Sequence, residues 1–239
     1  MSNGYCDATE RVTDDAIVHG TVNAIVNERI VVLTEGRTDR TVLRESLTLL
    51  YPHLTDYFTF MDFDAVNAAG GASQSVAILK AFIGAKIANR TVALFDNDTA
   101  AKDALRGLDG CDLPSNVRVV LYPPIAIANN YPTIGPGGMV PMDVNGHAGS
   151  IELYFGEDIL RRGGHLVPVQ WRSMNDSIGQ FHGVLGEKRS LQQAFYEKLK
   201  HCKEQPALIG QRDWSGIIAI LDVLRTVFSD SLEPHLLDG

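Results

Sequence analysis

Short apolar runs alternate with amphipathic segments through the first half of this chain, and that alternation narrows the fold more than any other feature. IVVL (Ile30–Leu33), the aromatic-rich Tyr57–Phe63, TVALF (Thr91–Phe95) and VRVVL (Val117–Leu121) each read as a strand. Between them, Thr38–Leu50 puts Val42, Leu43, Leu47 and Leu50 on one helical face, and Ser73–Ala88 does the same with Val76, Leu79, Phe82 and Ile83. Thr99–Leu108 reads as a shorter helix. Such a pattern specifies βαβ units, and therefore an α/β fold with a mostly parallel sheet flanked by helices. Right-handed crossovers then line the strand C-termini along one edge, where sheets of this kind bind ligands.

The remaining segments are additions to that unit. Residues 14–29 space Ile17, Val18, Val22, Ile25 and Val26 as a helix, although Gly20 weakens the pattern. Pro123–Gly149 is rich in Pro, Gly and Asn and is expected to be a long loop. Beyond it, Ser150–Phe155 and Glu157–Arg161 look helical, His165–Trp171 extended, and Ser190–His201 and Trp214–Phe228 helical. The expected organisation is a helical lead-in over 1–29, an α/β domain over 30–190 that includes the 123–149 loop, and a helical extension over 191–239. A chain of 239 residues suffices for one large domain with such appendages.

Composition limits the partners. No run of 18 apolar residues exists to span a membrane, and the acidic start MSNGYCDATERVTDD lacks the basic, then apolar, order of a signal peptide. Cys6, Cys111 and Cys202 are far apart and form no CxxC pair, as suits a reducing compartment, so a cytoplasmic location is expected. The net charge of −8 is not the globally basic surface that phosphate contacts favour. It suits plain solubility, and equally a site where carboxylates collect a divalent cation and so reverse the local sign.

The acids occupy informative positions. Glu35 follows the Ile30–Leu33 strand, with Asp39 four residues on. Asp96 and Asp98 follow Thr91–Phe95 in FDND, where extended backbone puts both side chains on one side. Each acid has an ordinary explanation, since Asp98 can cap the next helix and Glu35 or Asp39 can favour a helix N-terminus. If the two strands are neighbours, however, four carboxylates converge and raise one another's pKa values. A divalent cation resolves that conflict. All-oxygen ligands suit Mg²⁺ or Mn²⁺, and paired ions suit phosphodiester cleavage.

TEGRTD (34–39), followed by FDND (95–98), resembles the Toprim domain of primases, topoisomerases and OLD-family nucleases, a small Rossmann-like sheet. NAAGGASQSVAILKAF (67–82) is similar to the Gly-Gly turn and helix between those motifs, and GSIELYFG (149–156) to the Ser-x-Glu element of the OLD-type branch. The resemblance implies a metal-dependent nuclease acting on DNA or RNA, tRNA included. It implies metal ligands at Glu35, Asp39, Asp96, Asp98 and Glu152, with Ser150 in support. Catalysis would fall to Glu35, Asp96, Asp98 and Lys188, the lysine of LGEKRSL. No GxxxxGK[ST] loop, primase zinc ribbon or topoisomerase tyrosine region accompanies it. The chain therefore resembles a stand-alone Toprim protein of bacterial antiviral systems, with any ATPase or sensor a separate partner and a homo-oligomer compatible.

Other readings stay open. DNDT resembles the DxD of haloacid-dehalogenase-type phosphatases, with Asp96 as nucleophile, but Ala100 stands where a Thr or Val is expected and TEGRTD is left unexplained. A Toprim-like regulatory subunit without catalysis is a third reading. The spacing Arg161…His165 imitates a ribonuclease motif, yet Gly163 and Gly164 oppose the helix it needs. Asp62 and Asp64 are candidate extra ligands, His147 a candidate substrate contact, and Tyr122 and Tyr131 candidates to stack a base. Trp171 and Trp214 read as core or interface aromatics.

Overall fold

The computed structural model describes residues 29–62 and 70–229. The expected lead-in helix (apart from Arg29), Asp64 and the last ten residues lie outside the described part. Strands β1 (Ile30–Leu33), β2 (Phe58–Phe60), β3 (Thr91–Phe95) and β5 (Val117–Leu121) form a wholly parallel sheet in the order β2-β1-β3-β5. This is the expected α/β core. Helices α1 (Arg37–Leu50), α2 (Ala72–Gly84) and α3 (Thr99–Leu105) make the connections, with the two-residue strand β4 (Asn97–Asp98) between β3 and α3.

Alternation along the strands divides the core into two layers. Val32, Val92 and Leu94 pack with Val42, Leu43 and Leu47 of α1, whereas Leu33, Ala93 and Phe95 pack with Val76 and Leu79 of α2 and Ala101 of α3. All five residues of β3 are buried, as a central strand covered on both faces must be.

The region from Pro123 to Gly149 corrects the loop expectation. It contains a 3₁₀ turn at Ala126–Asn130, the hairpin β6 (Tyr131–Gly135) and β7 (Gly138–Met142), and the short strand β8 (Ala148–Gly149). After the brief helix α4 (Glu157–Leu160), β9 (Arg161–Arg162) and β10 (His165–Leu166) form a tight antiparallel pair, so Arg161 and His165 are not on one helix. Strands β11 (Val169–Asn175) and β12 (Gln180–Leu185) complete a second sheet in the order β12-β11-β6-β7. Its β7 is an exposed edge of Gly and Pro turns and methionines, a composition that reads as loop because little of it faces a core.

Helices α5 (Lys188–Glu204) and α6 (Ser215–Thr226) close the structure. Leu191, Phe195, Ile217, Ile220 and Leu221 join the same hydrophobic cluster as Val32 and Val92, so these helices form part of the main core and α5 crosses the expected boundary at residue 190. Buried Lys198 ties them down: its Nζ donates to the Phe155 carbonyl at 3.0 Å, to Asp158 Oδ1 at 2.9 Å and to the Asp213 carbonyl. Among the described residues no helix is long and apolar enough to cross a membrane.

Candidate functional site

Parallel pairing of β1 with β3 decides where the acids lie. The register Val32↔Val92 and Leu33↔Ala93 brings the two C-terminal ends together. As a result the Asp96 backbone N–H donates to Glu35 Oε1 at 2.9 Å. The Glu35 turn is itself held by the Gly-Gly segment. Gly71 N–H donates to the Glu35 carbonyl at 2.7 Å, and Ser75 Oγ, one turn into α2, donates to the Thr34 carbonyl at 3.0 Å. Gly71 has φ 113° and ψ 155°, a region essentially restricted to glycine. Gly71→Ala is therefore expected to lower stability by about 1–3 kcal/mol, read from urea denaturation, with the loss centred on the Glu35 turn.

Asp98 caps α3, accepting from Ala101 N–H at 2.8 Å through Oδ1. It also lies in β4, which pairs antiparallel with β8 as Asp98↔Ala148 and Asn97↔Gly149. The strands approach so closely at Gly149 that a Cβ there would fall 2.5 Å from the Asn97 carbonyl oxygen. The ladder delivers the Ser-x-Glu element immediately after it. Ser150 Oγ donates to Glu152 Oε2 at 2.8 Å, Gln192 Nε2 donates to Glu152 Oε1 at 2.6 Å, and Lys188 Nζ is 3.2 Å from Oε2. Lys188 and Gln192 are one turn apart in the same helix and so share a face. Asp39, buried in the first turn of α1, accepts from Tyr122 Oη at 2.7 Å.

The electrostatics follow from crowding. Burial pushes Glu35 up to about 7, against the Asp96 amide that favours its charge, and Asp98 and Asp39 push further in the same direction. Asp39 is raised to about 6 by burial and by Glu152, the Tyr122 hydroxyl opposing. Burial, followed by Asp39, Glu35 and Asp98, raises Asp96 well above its ordinary value. Glu152 differs: burial would raise it, but Lys188, Gln192 and Ser150 together hold it below the usual glutamate value. The Lys188 ammonium lowers Glu35, Asp39 and Asp96 as well, which places its charge within reach of the whole group.

No family model, curated protein or solved structure matches the chain.

The site is thus defined by its own geometry. All six residues singled out for metal or catalysis gather there: Glu35, Asp39, Asp96, Asp98, Glu152 and Lys188, with Ser150 beside them. Among the described residues, no three His, Cys, Asp or Glu side chains stand as a ready metal-ligating set. Glu35, Asp39, Asp98 and Glu152 each accept a hydrogen bond from a protein donor. The exception is Asp96, whose Oδ1 is buried with no hydrogen-bond partner among the described residues. An orphaned carboxylate oxygen amid repelling acids is the environment a hard divalent cation relieves, so the donor set fits Mg²⁺ or Mn²⁺ once the acids exchange some of these bonds for it.

Tyr122 and Tyr131 are 1% and 0% exposed and cannot stack a base. Tyr122 instead orients Asp39, and Gln192 orients Glu152; of the two, only Gln192 carried a usable signal, its one-turn spacing from Lys188. Asp62 lies 2.5 Å from Arg40 Nη1 in an ion pair at the mouth of β2.

Proposed function

We propose that this protein is a Mg²⁺- or Mn²⁺-dependent nuclease that hydrolyses phosphodiester bonds of DNA or RNA. The carrying observation is that five carboxylates and a lysine from separate segments meet at the C-terminal edge of one parallel sheet. Support also comes from the order of those acids, which resembles that of Toprim nucleases.

In this reading Glu35, Asp39, Asp96, Asp98 and Glu152 hold the cation, directly or through water. When bound, it supplies Lewis-acid polarisation of the phosphoryl group and favours ionised water near neutral pH. The chain's residues supply the rest. Lys188, fixed by Glu152, offsets the negative charge that builds on the phosphoryl oxygens. Glu35, aligned by the Asp96 amide, transfers a proton to or from the attacking or leaving oxygen. Ser150 and Gln192 keep Glu152 ionised and oriented. The resemblance alone extends the proposal to a cytoplasmic effector of antiviral defence working with a separate ATPase or sensor.

The test is a panel of single-stranded DNA, duplex DNA, RNA and tRNA, incubated with Mn²⁺ or with EDTA, alongside an aryl phosphate. Cation-dependent cleavage of a polynucleotide is expected. Turnover of the aryl phosphate with covalent trapping at Asp96, and none of the polynucleotides, would establish the phosphatase reading instead.

A further inference from the structure

Helices α1 and α5 both begin at the acids. Asp39 stands in the first turn of α1, and Lys188 opens α5 with its Nζ 3.2 Å from Glu152 Oε2. Near the far end of α5, Lys203 pairs with Glu45 of α1, so the two helices run side by side in the same direction away from the cluster. Counted back from that pair, Asp39 and Tyr196 each lie about two turns toward the acids and so share one level. Tyr196 is also one turn beyond Gln192, whose Nε2 donates to Glu152 Oε1 at 2.6 Å. Side chains of a helix lean toward its N-terminus, which lays the Tyr196 ring over the turn of Gln192. The two residues line one shallow cavity of about 360 Å³, with Arg189 and Lys200 also in its wall.

The hydroxyl of Tyr196 is the part the fold leaves unused. Tyr196 is 38% exposed, and among the described residues no group hydrogen-bonds its Oη. Tyr122, by contrast, is buried and donates to Asp39. Burial, then the charges of Asp39 and Glu152, push the Tyr196 hydroxyl up, so both carboxylates act on it and it keeps its proton. A phenol that keeps its proton is a donor, neither a nucleophile nor a base. With a cation on Asp39 and Glu152, the acceptor that suits such a donor is an anionic oxygen of the substrate.

We propose that Tyr196 is a further catalytic residue, donating its hydroxyl hydrogen to a non-bridging oxygen of the phosphodiester being cleaved, on the side of the site that Lys188 also serves. The inference rests on the phosphodiesterase reading and adds a contact that the order of the acids does not contain. One helix then supplies three functions at one-turn spacing: Lys188 offsets the phosphoryl charge, Gln192 orients Glu152, and Tyr196 bonds the phosphoryl oxygen. Packing of the ring alone would be served equally by phenylalanine, so the hydroxyl is the group that separates a catalytic from a structural tyrosine.

The experiment removes that hydroxyl alone, as Tyr196→Phe in the full chain. With Mn²⁺ and the polynucleotide that the wild type cuts best, kcat/KM is expected to fall about 10- to 100-fold, the scale of one hydrogen bond to a charged group. The melting temperature in EDTA, and the Mn²⁺ concentration that gives half-maximal stabilisation, should not move, because the ring remains and the hydroxyl holds neither fold nor cation. Affinity is read separately in Mn²⁺ by fluorescence anisotropy of labelled single-stranded DNA, RNA and duplex DNA on protein carrying Asp96→Asn. There Tyr196→Phe is expected to weaken binding on the order of 10-fold. A kcat/KM equal to that of wild type overturns the proposal, and so does a fall accompanied by a lower melting temperature or a shifted Mn²⁺ midpoint. If the wild type cuts no polynucleotide, the nuclease reading fails and the anisotropy decides for Tyr196: weaker binding retains its contact with a phosphodiester, whereas equal or absent binding removes it.

Discussion

Asp96→Asn is expected to reduce Mn²⁺-dependent cleavage by about 10³-fold or more and, in EDTA at pH 8, to make the protein more stable than wild type. The two effects have one cause. Asp96 carries the buried, unpartnered Oδ1 and lies amid Asp39, Glu35 and Asp98, which raise its pKa together with burial. Asparagine keeps the shape and removes a charge that the metal-free fold opposes. Glu35 loses the neighbour whose amide it already accepts from, as a charge but not as a donor. A higher melting temperature than wild type follows, at roughly 2–4 °C for each kcal/mol gained in a chain of this size. The same change withdraws a carboxylate from the cation, and a loss of about 4 kcal/mol in transition-state stabilisation corresponds to 10³ in rate. Asp112→Asn, on the exposed segment between α3 and β5, is the control and should alter neither. Full cleavage by a folded Asp96→Asn protein would remove Asp96 from the site. A wild type that is the more stable of the two in EDTA would show that the acids do not repel as inferred.

How legible this was in the sequence depends on which side chains met a core. The strands β1 and β3 were readable because their residues are buried on both faces or nearly so and therefore uniformly apolar, and the half-buried edge strand β5 because it is apolar apart from Arg118. Acids immediately after such strands stood out against them. Of the second sheet only the start of β11 was readable, within the extended His165–Trp171, since Gly138–Met142 is exposed throughout and Val169–Asn175 buries only Val169 fully. Its pairing is set by long-range contacts that no local period records, including a register shift between Trp171 and Met174. Trp171, read as a core or interface aromatic, does pack against the main hydrophobic cluster, half-buried. Tyr122 was misleading: its place in a Pro-rich stretch suggested a surface ring, and only the fold reveals the hydroxyl turned onto Asp39.

The pH dependence of stability discriminates the acid cluster from an ordinary set of surface carboxylates. Glu35 moves from an ordinary 4.5 to about 7 on folding, and Asp39 from 3.8 to about 6. A carboxyl whose pKa is higher in the folded than in the unfolded chain binds more protons when folded, so its stabilisation is complete below the unfolded value and is lost as pH rises. In EDTA, stability should therefore fall from about pH 4 through pH 7, by several kcal/mol for the two groups together, and Asp96, also raised, adds to the fall as pH rises. Glu152 runs the other way, its lowered pKa costing stability as pH drops through the carboxylate range, so the optimum without cation lies on the acid side of neutral. Mn²⁺ should cancel the decline, because it binds the ionised acids: at 100 times its dissociation constant a bound cation adds about 2.7 kcal/mol, most of it at pH 7 to 8 and little at pH 4. Urea denaturation across pH 4–8, with and without Mn²⁺, reads both arms. Stability that rises from pH 4 to 7 in EDTA, or a melt indifferent to Mn²⁺ at pH 8, would leave these acids as structural caps and point to an interaction module in place of a metal centre.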